Sequence, residues 1–150
     1  MQLTDLAVSL QPHFEEVSDG LANILDTAQW EKTDAILSVY KRMKVISTYL
    51  PTATDAGYGP GHQRDPNFHG HLGRSMDVDH KQRAPYRSAL VVNAKTGIPG
   101  LAFFEKARSH GHKIAYQGVA PGPDEWCERD FWFNQVKLLG LDPARLNYVV

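Results

Sequence analysis

A single cysteine, Cys127, stands in 150 residues, so the chain holds neither an intramolecular disulfide nor a Cys-based zinc site. A reducing, cytoplasmic setting is expected. No apolar run approaches the ~20 residues of a membrane span, and the first residues lack the basic stretch and apolar block of a signal peptide. No membrane partner is expected. A P-loop, a Gly-x-Gly-x-x-Gly after a strand and a Gly-x-Ser-x-Gly are all missing, which leaves nucleotide cofactors and serine-hydrolase chemistry without support.

What is present fits a packed domain. Hydrophobic residues make up 42% and charged residues 22%, ordinary proportions for a chain that buries a core. One domain over 1–150 is the expectation at this length. The net charge of -1 conceals a segregation: seven acids and one base over residues 1–34, twelve bases and five acids over 35–118, three bases and five acids over 119–150. A basic middle between acidic ends either faces nucleic acid, where Lys and Arg gain affinity by releasing phosphate counterions, or neutralises the ends internally.

Periodicity suggests an α+β fold. Phe14, Val17, Leu21, Ile24 and Leu25 recur at helical spacing after Pro12, and Trp30, Ile36, Leu37, Tyr40, Met43 and Val45 continue a stripe after Asp26 or Thr27 as N-cap. Residues 1–50 thus read as a helical hairpin that ends at Pro51. Residues 51–70, rich in Pro and Gly, read as a long loop. A short helix is expected from Leu72 to about Gln82, and Arg87 to Asn93 has the β-branched, apolar character of a buried strand. A turn follows, with Gly97 able to take positive φ. Leu101 to Ala107 fits a helix ended by Gly111 and equally a strand over its first residues, and Lys113 to Gln117 reads as a strand. Asp124 caps a last helix with Trp126, Phe133, Val136 and Leu139 near one face and Gly140 after its end; it falls in a C-terminal section, 119–150.

Five of the seven histidines, His69, His71, His80, His110 and His112, fall in or near the loop-rich middle. Two His-x-His pairs on strands would put both rings on one face, where they can share a divalent metal, and Asp77 and Asp79 can add oxygen ligands. His69, His71 and His80 are the candidate ligands. A metal-dependent hydrolase or nuclease would also keep an open coordination position for water. The bland alternative makes these histidines helix-end caps and solvated side chains.

Leu90 to Gly100 reads LVVNAKTGIPG, and this resembles a group of small bacterial and phage proteins with a similar LVVN-x-x-TG-x-PG segment, over about residues 69–111. The resemblance implies a winged-helix-like middle, 71–118, in which a helix containing Leu72-Gly73 precedes the segment. Residues 71–83 then take the recognition-helix position, with Arg74, Lys81 and Arg83 available to phosphates or base edges, Arg87 beside the strand start and the wing around Lys95. Asp77 and Asp79 in the same helix oppose this by repelling phosphate.

Three functions are therefore expected, in order. The first is a small regulatory or interaction protein that binds nucleic acid through its basic middle. The second is a protein-binding inhibitor or adaptor of phage or mobile-element type, whose acidic N-terminal helices meet a basic partner. The third is a hydrolase using the clustered histidines. Catalysis is not the leading expectation.

Overall fold

The computed structural model describes residues 3–58 and 65–148, with side chains from residue 20 onward within those ranges. Its first element is one uninterrupted helix of 41 residues, α1 (Leu3–Met43), about 60 Å long at 1.5 Å per residue. The hairpin expected over 1–50 does not form. Gly20 costs a helix only about 1 kcal/mol relative to Ala, and a capping residue such as Thr27 starts a helix only where the preceding backbone has left helical geometry. The apolar pair of faces expected to meet is therefore open on its N-terminal side: Leu21, Ile24 and Leu25 are 56%, 65% and 62% exposed. The expected positions Pro12, Phe14 and Val17 have side chains outside the described residues. Among the described side chains of α1, those of its C-terminal part enter the core, through Thr33, Leu37 and Tyr40.

A two-residue strand, β1 (Ser47–Thr48), leads into α2 (Tyr49–Asp55). Pro51 does not end a helix but sits in the first turn of α2, where its missing N–H removes no intrahelical bond. Half of the long loop expected over 51–70, residues 51–55 and 66–70, is thus helical. Residues 59–64 of it lie outside the described residues. The next helix, α3 (Pro66–Lys81), starts where Asp65 accepts a hydrogen bond from the Asn67 N–H at 2.8 Å, with Pro66 in its first turn. Asp-Pro is as much a helix start as a loop signal.

Arg87 to Asn93 is only partly a strand. Arg87–Leu90 is a single 3-10 turn, followed by β2 (Val91–Val92), which pairs in parallel with β1 in the register Ser47 to Val91 and Thr48 to Val92. The C-terminal segment lies along the other side of the β1 region, where the Ile46 N–H donates to the Asn147 carbonyl at 2.7 Å. After β2 the chain turns tightly, with the Gly97 N–H donating to Asn93 O and the Asn93 N–H to Ile98 O. Gly97 has φ 75°, as a turn glycine allows. This turn replaces the antiparallel wing expected around Lys95.

The helical alternative holds for α4 (Leu101–Ser109), and Gly111 with φ 98° follows it. The expected strand at Lys113–Gln117 is reduced to one bridge between Ile114 and Trp126. The last helix, α5 (Glu128–Leu138), is capped by Cys127, whose Sγ accepts from the Asp130 N–H, and not by Asp124. Trp126 accordingly lies outside it and is half-exposed, while Phe131, Trp132, Gln135 and Val136 form the buried face. Two α5 side chains hold the 3-10 turn. Trp132 Nε1–H donates to Ala89 O at 2.8 Å, and Gln135 Oε1 accepts from the Tyr86 N–H at 2.9 Å.

The fold is therefore mixed helix with a small parallel sheet, and α3 lies between α1 and α4 with one face to solvent.

Candidate functional site

Charge pairing divides the basic middle in two. Arg87 is inside: its Nε donates to both oxygens of buried Asp79, its backbone N–H donates to Asp79 Oδ2, and its Nη1 reaches Ser38 Oγ and, at 2.7 Å, Asp34 Oδ1 on α1. Arg87 is thus removed as a candidate contact to nucleic acid. Arg108 is likewise engaged, bonded to Glu105 and Glu128 and to the carbonyls of Ile114 and Ala115. These two arginines neutralise acids from the N-terminal and C-terminal sections, as the internal-pairing alternative requires.

The remaining candidates face outward. Arg74 is exposed, with its guanidinium over the Trp30 ring at 4.3 Å. Lys81 and Arg83 are exposed and form no ion pair among the described residues. Arg83 sits just beyond α3 at φ 55°, its N–H donating to His80 O. Arg74 and Lys81 are separated by two helical turns, about 10 Å of rise, and so share one side of α3. Lys95 stands apart, at the turn after β2, in a groove with Thr48, Leu50 and the start of α4.

Both carboxylates expected to repel phosphate are occupied. Asp79 is 3% exposed and bound by Arg87; burial pushes its carboxyl above the ordinary range against the pull of that guanidinium. Asp77 accepts from Lys106 Nζ at 3.1 Å and from His110 Nε2 at 2.8 Å. Burial works to raise the Asp77 carboxyl, but those two hydrogen bonds and charges outweigh it and hold it below its usual value.

The histidines form two separate arrangements. In one, His110 stacks on His80 with ring centroids 4.2 Å apart and planes 3° from parallel. Since a carboxylate only accepts, His110 Nε2 carries the proton toward Asp77, and in the neutral ring Nδ1 accepts from the Tyr86 hydroxyl at 2.7 Å. Tyr86 is pushed up to about 12 by burial and by the charges of Asp77 and Asp79. His112 meets the edge of Tyr86 and the ring of Phe131, and burial, with His80 and His110 nearby, lowers its pKa. His80, Arg83, His110 and His112 together line an open cleft of about 460 Å³ with no carboxylate among the described residues of its walls.

The other arrangement is structural. His71 is buried, its Nε2–H donates to Asp26 on α1 at 2.8 Å, and its Nδ1 accepts from the Tyr58 hydroxyl. It ties α3 to α1 and to the segment that follows α2. His69 packs against Tyr49 and Phe68. The candidate metal ligands His69, His71 and His80 therefore do not converge, and among the described residues no group of three His, Cys, Asp or Glu side chains is placed to hold a metal ion. Sequence reasoning missed Tyr86 and Gln135 as walls of the cleft. The only signal was the Pro85-Tyr86 pair that ends the turn after α3.

Against known protein families, curated proteins and solved structures, the chain matches none. The site is therefore read from its own geometry.

Proposed function

We propose that the protein binds nucleic acid through the solvent face of α3 and the cleft at its C-terminal end. The observation that carries this is the fate of the two aspartates. With Asp79 held by Arg87, and Asp77 held by Lys106 and His110, the outward cations Arg74, Lys81 and Arg83 meet phosphate with little opposing charge on their helix. Arg83 offers a bidentate fork to a phosphate or a guanine edge, Lys81 a point charge, and the exposed His80 ring an additional donor and a surface on which a base can stack. On the winged-helix reading this face takes the recognition-helix role, and Lys95 lies apart from it in a different groove.

The test is binding of fluorescently labelled duplex and single-stranded oligonucleotides to the parent and to a Lys81→Glu/Arg83→Glu double variant. The proposal expects binding by the parent and loss of it in the variant, because each reversed charge turns a phosphate attraction into a repulsion. Equal binding by both proteins would remove this surface.

A second reading, a protein-binding adaptor that uses α1, is favoured by the uncovered stripe of Leu21, Ile24 and Leu25, which has the spacing of a helix-in-groove contact. It predicts a stable complex with a protein and no retention of oligonucleotide.

A further inference from the structure

A cavity of about 190 Å³ opens between α3, α4 and the Tyr49 ring, with none of Arg74, Lys81 and Arg83 in its lining. Most of its wall is apolar, with Leu72, Met76 and Phe103 contributing. One polar group in it is unexplained. Ser88 is 4% exposed, lines the cavity, and its Oγ has no hydrogen-bond partner among the described residues. A buried hydroxyl left unpaired costs about 1–3 kcal/mol, so folding alone gives no reason for a serine here.

The first turn of α4 shares the cavity through Ala102 and Phe103. Its cap, Gly100, supplies no side-chain acceptor, and no acidic residue stands in the turn. The Gly100 N–H itself donates to the Tyr49 hydroxyl at 2.6 Å, but the N–H groups of Leu101 and Ala102 have no acceptor among the described residues. Those two residues, with Lys95 and His69, also line the adjoining groove, which meets the cavity at Tyr49, His69 and Ala102. Lys106 lies at the cavity edge over Gly73, where a Cβ would come within 3.2 Å of its Cε. A helix start whose N–H groups lack acceptors among the described residues, with Lys95 beside it, suits a doubly charged oxyanion. The apolar chamber with one orphan hydroxyl suits a small organic body carrying a single hydrogen-bonding atom.

We infer that the cavity and groove form one site for a phosphate monoester with a ring-sized body: the phosphate on the α4 N-terminus beside Lys95, the body between Leu72, Met76 and Phe103, and its polar atom on Ser88 Oγ. The site is separate from the α3 cleft, so either can fail alone.

The experiment is a titration of the 15N-labelled full chain with inorganic phosphate and with 4-nitrophenyl phosphate, followed by amide shifts. The Leu101 and Ala102 amides shift and saturate with both probes, and the ester binds more tightly because its ring enters the cavity. Two variants separate the parts. Leu101→Pro deletes one donor while placing proline at the first helical position, where it is well tolerated after an extended residue such as Gly100 (φ -76°, ψ 178°); it keeps the melting temperature and weakens both probes. Ser88→Ala removes a hydroxyl that bonds to nothing in the protein; it keeps or raises the melting temperature, weakens the ester about fivefold and leaves inorganic phosphate unchanged. Unmoved Leu101 and Ala102 amides, shifts confined to the Arg83 cleft, or parental ester affinity in both variants would overturn the site.

Discussion

Arg87 and Asp79 face each other inside the protein, guanidinium Nε against carboxylate at 3.0 Å, with the Arg87 backbone N–H on the same carboxylate at 2.9 Å. This pair fixes the 3-10 turn to α3, and Arg87 continues to Asp34 on α1. Removing one partner strands the other charge in the interior. Arg87→Ala is therefore expected to cost about 3–5 kcal/mol in urea unfolding, and Arg87→Lys most of that, because an ammonium lacks the fork. A loss below 1 kcal/mol would mean the pair behaves as a surface ion pair.

His112 sets a pH limit on stability. Its folded-state pKa lies below the ordinary 6.5 because of burial and the neighbouring His80 and His110, so the unfolded chain takes up this proton first. The contribution of a neutral His112 is full above 6.5 and is lost as pH falls from there through the lowered folded value. Urea midpoints measured on either side of that window should fall on acidification, and His112→Gln should flatten the fall. Asp77, with its pKa lowered, adds its own loss as pH falls below the ordinary 3.8.

Tyr86 acts at the other extreme. Its phenol is raised to about 12, so between the ordinary 10.0 and that value the folded state holds a proton the unfolded state has released, and stability declines as pH rises. Absorbance titration of the folded chain should show a late step from Tyr86 at the end of this range, beside Tyr49 and Tyr58, which burial also raises. Tyr86→Phe should remove that late step and cost about 1 kcal/mol for the lost bond to His110.

The apolar stripe Leu21, Ile24 and Leu25 of α1 is expected to be dispensable for folding. Leu21, Ile24 and Leu25 are mostly exposed, so the triple change to Gln should shift stability by no more than about 0.5 kcal/mol per site, whereas Leu37→Ala, which empties a fully buried position, should cost about 2–5 kcal/mol. Similar losses in both proteins would show that the stripe is covered after all.

Much of this architecture was legible from residue spacing. Leu37 and Tyr40 lie on the buried side as the period requires, α3 covers the expected helix from Leu72 but starts six residues earlier at Pro66, α4 takes the helical one of its two alternatives, and Gly97 and Gly111 adopt the positive φ their turns need. The hairpin was misread because an apolar stripe at helical spacing implies a covering partner, and α1 leaves Leu21 to Leu25 uncovered. The loop was misread because Pro51 and Pro66 each stand in a first helical turn, where proline is harmless. The strand expected over Arg87 to Asn93 was overextended because Arg87–Leu90 owe their burial to a tight 3-10 turn under α5, and only Val91–Val92 pair as a strand. For the site, the cations Arg74, Lys81 and Arg83 were visible in the sequence, but Arg87 was not separable from them: only its distance to Asp34, fifty-three positions earlier, distinguishes an internal guanidinium from an external one. Ser88 and the α4 N-terminus carried no signal, since an unpaired hydroxyl is a property of packing.

The central claim rests on phosphate neutralisation by the outward cations of α3, and the salt dependence of oligonucleotide affinity reads it most directly. The logarithm of the association constant should fall linearly with the logarithm of salt, at a slope of about 0.9 per duplex phosphate contacted, and Arg83→Gln should lower that slope by about one contact. An affinity indifferent to salt, or a slope that Arg74, Lys81 and Arg83 substitutions all leave unchanged, would contradict the account.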